Sequence, residues 1–385
     1  MKKILILNTK YREFGGEDSN ILDEKTFLSK YYDVEYIEFD NSDKLVFSDY
    51  ASFFTNKNKQ SNKKLIETIK SYKPDIVYVH NTWFKANLGI FKILKDLNIE
   101  TILKIHNFRF SCTDSFSSKS HLKNHDYCRK CGFANKNLFF NKYYEFSYLK
   151  SFFLIRYGKK YKKILKNFDL KILVMTEFQK TYLIESGLRS NNIFLYENPL
   201  NNIKKQRNLY NKNSDYVVYA GRISNAKGVK ELITSWQNSN IDNLKLKIIG
   251  EGESLQKLIE NHQNENIEFL GKLNNKEAIK LIQNARAVVT ATKMYEGQPR
   301  LLCEASSMGI PSIFPNFGGM VEFFPKDYEL KFDQYNYFDL ESKLNMLNNE
   351  NLLKALSEEV KNFIDLKLSD EKLFNKFKAL QLNDQ

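Results

Sequence analysis

The chain has 385 residues, of which 42% are hydrophobic and 27% charged, so it is long enough for two domains that each bury a core. No uncharged apolar run approaches the ~20 residues that a membrane-spanning helix requires, which argues against an integral membrane protein. The formal net charge of +13 favours acidic ligands, such as nucleic acid, anionic lipid or phosphorylated substrates, but it does not choose among them.

The amino terminus lacks the pattern of a secretory signal. Met1-Lys2-Lys3 is followed by the apolar residues Ile4–Leu7 and then by Asn8, which is too short for the apolar region of a signal peptide. We therefore expect a protein of the reducing cytoplasm, either free or peripheral on the inner face of the cell membrane. Disulfides are not expected there, although the chain has four cysteines.

Strand-like and helix-like segments alternate along the first half of the chain. The predicted strands are Lys3–Leu7, Asp33–Phe39, Asp75–Val79, Glu100–Ile105, Lys171–Met175 and Ile193–Tyr196. The predicted helices among them include Glu17–Tyr31, Phe84–Leu97 and Glu177–Ser186. This alternation indicates parallel βαβ units.

A second series of the same kind follows a polar stretch that begins at Asn198-Pro199 and resembles a linker. Its predicted strands are Tyr216–Ala220, Leu244–Ile249, Ile267–Leu270, Ala287–Thr292 and Pro311–Phe314, and the tail from Leu352 to Leu382 has a helical period. The fold class is therefore α/β, with two Rossmann-like, doubly wound domains and carboxyl-terminal helices. In such sheets ligands bind beyond the carboxyl ends of the strands, so two facing domains would form a central cleft.

The segment Tyr295–Ala305 combines two carboxylates with a predicted helix start. Pro299 suits the first turn of a helix, and the free N–H groups from Gly297 to Leu301 could hold a phosphate. Glu296 precedes this turn and Glu304 follows it, so the two carboxylates could accept hydrogen bonds from the two sugars of a nucleotide sugar. Taken alone, the same pattern also fits a solvated Glu296 and a surface residue at Glu304.

Two further loops follow strands in the second half. Arg222 and Lys227 lie in the first loop, where two cations could neutralise a diphosphate leaving group, although exposed basic residues in an ordinary turn fit equally well. The second loop contains Gly250 and Gly252, which alone is a weak signal.

The order of these motifs is informative. The sequence GRIS-x-x-KG, then IGEGE, then E-x7-E running into LCEASSMGIP resembles family 4 of the glycosyltransferases, which are retaining enzymes of GT-B architecture. The first half agrees with it, through the glycine loop Phe14–Glu17, His106 at a strand end, and Asn198-Pro199. The resemblance covers nearly the whole chain.

The resemblance implies a role for each matching residue. Glu296 would bind donor-sugar hydroxyls, Glu304 the ribose, and Arg222 and Lys227 the diphosphate, while His106 would contact the donor sugar. The residues expected to be catalytic are His106, Arg222, Lys227 and Glu296. Those expected to bind the donor are Gly15, Gly16, Gly221, Arg222, Lys227, Gly250, Glu296, Gly297, Arg300, Leu301 and Glu304. Gln298 and Arg300 depart from many relatives, so donor choice is expected to differ.

The implied function is retaining transfer of a sugar from a nucleotide-diphosphate donor, with no metal or cofactor required. The acceptor would be a saccharide or a lipid-linked intermediate of capsule, O-antigen or lipopolysaccharide assembly. Residues 1–200 would form the acceptor-side domain and residues 201–385 the donor domain, with a last helix able to pack back on the first domain. A sugar-nucleotide epimerase of the same architecture and a non-catalytic or activating subunit of a transferase pair are the alternatives.

Two segments remain open to more than one interpretation. Cys112, Cys128 and Cys131, in an insertion of about 108–137, have a spacing that fits a structural zinc site or idle thiols. Residues 138–168 carry aromatic residues followed by Arg156 and several lysines. This pattern fits a helix on an anionic membrane surface as well as a core helix with a solvated basic face. No nucleic-acid-binding module is recognised.

Overall fold

The computed structural model describes residues 1–10, 15–41, 52, 55, 57–108, 147–200, 213–241, 243–262 and 265–381. The chain divides into two compact units at Asn202, and the first unit takes up the chain again from Asp370. Most of the predicted linker lies outside the described residues, as does the cysteine cluster at 112, 128 and 131 with its candidate zinc site.

The first unit contains a parallel sheet of six strands in the order β2-β1-β3-β4-β5-β6. The strands are β1 (Lys3–Lys10), β2 (Asp33–Asp40), β3 (Ile76–Val79), β4 (Glu100–Lys104), β5 (Lys171–Val174) and β6 (Ile193–Leu195). The helices are α1 (Gly16–Leu28), α2 (Lys59–Tyr72), α3 (Gly89–Asp96), α4 (Tyr148–Asn167) and α5 (Glu177–Glu185). Strand β3 and the Ile4–Leu7 part of β1 are buried apolar runs, as expected of parallel strands covered on both faces, whereas the edge strand β2 alternates polar and apolar residues.

The second unit contains another parallel sheet of six strands, in the order β12-β11-β10-β7-β8-β9. Its strands are β7 (Tyr216–Ala220), β8 (Lys245–Ile249), β9 (Ile267–Gly271), β10 (Ala287–Val289), β11 (Ser312–Pro315) and β12 (Lys331–Phe332). Its helices are α6 (Val229–Gln237), α7 (Leu255–Asn261), α8 (Asn275–Gln283), α9 (Arg300–Ser307), α10 (Tyr337–Asn345) and α11 (Glu350–Lys367).

The predicted helical tail forms two helices that belong to different units. Helix α11 ends at Lys367, and α12 (Asp370–Ala379) packs on the first unit. Leu373 and Phe377 of α12 are fully buried in the core cluster of that unit. The Tyr31 and Phe374 rings stack there with centroids 4.1 Å apart.

Local backbone geometry explains why one predicted helix is shorter than expected. Helix α3 begins at Gly89 rather than at Phe84. Phe84 and Asn87 have positive φ angles of 87° and 53°, which a right-handed helix does not accept. Periodicity alone also missed α2, whose first turn is capped by the Asn58 side chain accepting a hydrogen bond from the Ser61 N–H at 3.2 Å.

A buried ion pair connects α1 to the sheet of the first unit. Lys104 Nζ lies 3.2 Å from Glu24 Oε1, and neither side chain is exposed to solvent. The Tyr78 hydroxyl donates to the same carboxylate, and Lys104 Nζ lies 4.5 Å from the centre of the Tyr196 ring. Burial raises the pKa of the Glu24 carboxyl and lowers the pKa of Lys104, and the attraction between the two groups opposes both effects.

Helix α4 contains the described part of the aromatic and basic segment. It buries the apolar residues Ile155, Tyr157, Tyr161 and Leu165. Lys159 and Lys163 are exposed, as are the aromatic residues Tyr148 and Phe152 near its start. Of the helices in the described ranges, none combines the length and apolar character needed to cross a bilayer.

Candidate active site

Three loops of the second unit are joined at the carboxyl edge of its sheet. These loops follow β7, β8 and β10. The Ile223 N–H of the first donates to the Glu251 carbonyl of the second at 2.8 Å, and the Lys293 N–H of the third donates to the Ala226 carbonyl of the first at 3.0 Å. The motifs recognised separately in the sequence therefore form one continuous surface, at the position where ligands bind in sheets of this kind.

The predicted cation and carboxylate of the two main motifs are in direct contact. Lys227 Nζ forms a short ion pair with Glu296 Oε1, and the Thr292 hydroxyl lies 3.5 Å from the same oxygen. The Lys227 and Glu296 side chains are 26% and 25% exposed, so a ligand can reach both groups. Arg222 lies in the same loop as Lys227 and is exposed to solvent.

Helix α9 begins where the sequence places a phosphate cradle, although Pro299 lies just before the first turn rather than inside it. The N–H groups of Arg300 and Leu301 lie in the first turn of the helix, at the positive end of its dipole. Glu304 is only 6% exposed and faces Arg300, with Nε to Oε1 at 2.7 Å, so it is not a solvated surface residue. Gly297 is buried in the preceding loop.

Glycine is required where the first two loops touch. Gly250 has φ of +141°, and a Cβ at this position would lie 1.9 Å from the Gly221 carbonyl oxygen. Gly221 has φ of +158° and is exposed, so its own backbone remains accessible. The two loops can therefore pack this closely only because glycine, with no Cβ, stands at position 250.

We expect Gly250→Ala to lower the free energy of unfolding by about 2–4 kcal/mol, because strain at positive φ and overpacking add. Urea unfolding of the purified protein measures this change. Gly15→Ala is the matched control, since a Cβ there meets no atom within 4 Å and the backbone is extended. If Gly250→Ala were as stable as the parent protein, the close contact between Gly250 and the Gly221 carbonyl would be contradicted.

In the first unit, His106 and the glycine loop lie at the carboxyl edge of the sheet. His106 follows the end of β4, and its neighbour Asn107 donates a side-chain hydrogen bond to Glu17 in the first turn of α1 at 2.8 Å. Gly15 is the N-cap of that helix and Gly16 its first residue. The predicted residues of the first unit are therefore held together within one loop cluster.

Sequence reasoning missed a second histidine in this cluster. His80 directly follows β3, and its Nδ1 lies 2.8 Å from Nε2 of His106. Its position was a usable signal, because β3 and β4 are neighbours in a parallel sheet and their carboxyl ends meet at one edge.

Cys303 of the second unit is a packing residue, since it is fully buried and burial raises the pKa of its thiol.

Comparisons with known proteins agree with this arrangement. Residues 201–363 match the family model of the glycosyl transferases group 1. A segment of 151 residues is 28% identical to the amylovoran biosynthesis glycosyltransferase AmsD of Erwinia amylovora. That alignment covers 37% of this chain and 42% of the relative, so less than half of either protein is compared.

Two solved structures resemble the whole chain. HepE from Anabaena, in complex with UDP and glucose, superposes with a TM-score of 0.68 at 14% identity, covering 100% of both chains. Sucrose-phosphate synthase from Thermosynechococcus elongatus superposes with a TM-score of 0.71 at 13% identity, covering 100% of this chain and 98% of that one. At these identities the likeness defines the fold. The predicted architecture is thereby confirmed: the chain has the GT-B fold, and its second half carries the match to the glycosyl transferases group 1 family.

Proposed function

We propose that this protein is a retaining glycosyltransferase of family 4 that moves a sugar from a nucleotide-diphosphate donor to an acceptor. The observation that carries the proposal is the convergence of exposed Arg222, the Lys227–Glu296 pair and the start of α9 on one edge of the second sheet. Cations, a carboxylate and the N–H groups of a helix start are the groups that a diphosphate and a sugar require. The named relatives support the donor class, since HepE is seen with UDP and glucose.

Each group has a defined task in this proposal. Arg222 and Lys227 stabilise the negative charge that develops on the leaving diphosphate, with the α9 N–H groups on the same phosphates. Glu296, released from Lys227 by the incoming phosphate, accepts hydrogen bonds from the donor sugar. Glu304 binds the ribose, and Arg300 beside it fixes the orientation of its carboxylate. His106 and the open backbone at Gly15 and Gly16 serve the donor from the first unit.

The acceptor belongs to surface-polysaccharide assembly in this proposal, as a saccharide or a lipid-linked intermediate. AmsD, whose name refers to amylovoran biosynthesis, supports this choice. A non-catalytic subunit would be expected to lack donor-binding residues, yet Arg222, Lys227, Glu296 and Glu304 are all present. An epimerase of the same architecture is disfavoured by the same motif set.

The proposed function is tested with a thermal-shift panel of nucleotide sugars, followed by donor-hydrolysis and transfer assays with the best binder. A donor raises the melting temperature by mass action, so it can be found before the acceptor is known. Glu304→Ala should weaken nucleotide binding, whereas Glu260→Ala, an exposed glutamate near the end of α7, should not. A chain that binds no nucleotide sugar in the panel would refute the proposal.

The residues at the site support retention as part of this proposal. Inverting transfer needs a base on the acceptor, whereas same-face transfer can use the departing phosphate as the base. We expect the donor anomer to persist in the product, as read from the anomeric coupling in a proton NMR spectrum. His106→Asn should retain part of the activity that His106→Ala loses. An inverted product, with both variants equally inactive, would make His106 the base and exclude retention.

We also propose that α4 carries the protein to an anionic membrane surface. Exposed Tyr148 and Phe152 share this helix with exposed Lys159 and Lys163, and such a combination of aromatic and basic side chains suits an anionic interface. Binding to anionic vesicles is expected to weaken with salt. It should also weaken in a variant with glutamine in place of four lysines, Lys159, Lys160, Lys162 and Lys163. Equal partitioning onto neutral and anionic vesicles would show that the basic face is only solvated.

A further inference from the structure

Two histidine rings form a contact at the carboxyl edge of the first sheet that the proposed chemistry leaves unexplained. Nδ1 of His80 lies 2.8 Å from Nε2 of His106, and the two ring planes are inclined by 22° with centroids 5.1 Å apart, so the rings meet edge to edge. The backbone of His80 is fixed by the sheet, because its N–H donates to the Leu7 carbonyl at 2.9 Å. His80 is 4% exposed, so its ring has little freedom to turn away from its partner.

The surroundings keep both rings neutral. Burial, and then the positive charge of Lys104, lower the pKa of His106. Burial, then the neighbouring His106 ring, then Lys104, lower the pKa of His80. The centre of the Tyr78 ring lies 4.4 Å from that of the His80 ring. The charge of Lys104 is itself paired with the Glu24 carboxylate. A hydrogen bond between two neutral imidazoles requires an N–H on one ring and a lone pair on the other.

This requirement couples the two tautomers. If His80 donates, His106 must carry its proton on Nδ1; if His106 donates through Nε2, its Nδ1 is an acceptor. Nδ1 of His106 and Nε2 of His80 are buried, and neither has a hydrogen-bond partner among the described residues. The contact therefore ties the character that His106 offers at its remaining nitrogen to the tautomer of His80.

We infer that His80 is a positioning residue that fixes the ring orientation and the tautomer of His106. The part of this inference that concerns turnover rests on the proposed transferase function, in which His106 contacts the donor sugar. The part that concerns the tautomer does not, because the contact exists whatever the protein binds. The two parts can be tested separately.

The chain has five histidines, and nitrogen-15 NMR of the protein labelled at histidine reads the tautomer of His106. In the parent protein, His106 should show one neutral tautomer at neutral pH, because burial lowers the pKa of its ring. In His80→Phe, which keeps a ring but loses its nitrogens, His106 should show averaged tautomers. His262→Phe serves as the control, because His262 belongs to the second unit. An unchanged His106 spectrum in His80→Phe would overturn the inference.

A matched pair of variants separates positioning from packing. Asparagine places its amide group as far from the backbone as Nδ1 of histidine, whereas glutamine places it at the distance of Nε2. His80→Asn should therefore keep the single tautomer of His106, and His80→Gln should lose it. With the best nucleotide sugar, turnover should fall about 10²-fold in His80→Gln with a smaller change in KM, and His80→Asn should restore part of it. Equal spectra and equal turnover in the two variants would show that His80 only fills space.

Discussion

Replacing Lys227 with alanine is expected to lower turnover by about 10²–10³-fold, because a preorganised charge at the leaving group contributes this much to catalysis. The substitution also leaves Glu296 without its ion-pair partner. The rate of sugar transfer, or of donor hydrolysis, measures the loss. Lys230→Ala is the matched control, since Lys230 is an exposed lysine on the adjacent helix α6.

The same rate assay, run in chelator, tests whether Arg222 and Lys227 take the place of a metal ion. Full activity of the parent protein in chelator is expected if Arg222 and Lys227 neutralise the diphosphate. A strict requirement for added Mg²⁺ or Mn²⁺ would contradict this mechanism, as would an unchanged rate in Lys227→Ala. Because Lys227 and Glu296 are in contact, the Lys227→Ala/Glu296→Gln double variant should lose less than the product of the two single losses.

The second large effect is on stability. Lys104→Met is expected to lower the free energy of unfolding by about 3–5 kcal/mol, because it leaves the Glu24 carboxylate buried without its counter-charge. Adding Glu24→Gln should recover much of this loss, since the amide removes the unpaired charge and still accepts the Tyr78 hydroxyl. Urea unfolding of the two single variants and the double variant measures these energies.

The pH dependence of Lys104→Met gives an independent check. Burial already raises the pKa of Glu24, and removing the opposing lysine leaves that effect uncompensated. The folded state then holds a proton that the unfolded state releases, so this contribution to stability is fully present below the ordinary carboxyl pKa and is lost as pH rises through the raised pKa. The variant should be more stable at about pH 5 than at pH 8. A stability difference from the parent that is independent of pH would mean that lost packing, not the buried charge, causes it.

The architecture could be predicted from the sequence because parallel βαβ units leave a strong local pattern. Buried strands such as Ile76–Val79 are continuous apolar runs, and they alternate with helices. The motif loops could be predicted for a related reason, since glycine and proline mark the strand ends at which ligands bind. Gly250 illustrates this, because only its backbone fits against Gly221.

What could not be predicted depends on contacts between residues that are distant in sequence. Glu24 and Lys104 are 80 positions apart, and a lysine in a strand pattern gives no sign that its charge is buried. His80 and His106 meet only because β3 and β4 are neighbours. The late start of α3 at Gly89 depends on positive φ angles at Phe84 and Asn87. Asparagine adopts such angles more often than most residues and phenylalanine rarely does, and the apolar period shows neither.

The return of α12 to the first unit has a consequence for synthesis of the chain. The second unit is continuous from Ile203 to Ser369, whereas the first is completed only by the segment that begins at Asp370. Phe377 packs against Tyr78 and Tyr196, with ring centroids 5.7 and 5.4 Å away. Domains usually fold in the order in which they leave the ribosome. Here the core of the first unit must wait for α12 to emerge, so the second unit is the first that can finish folding.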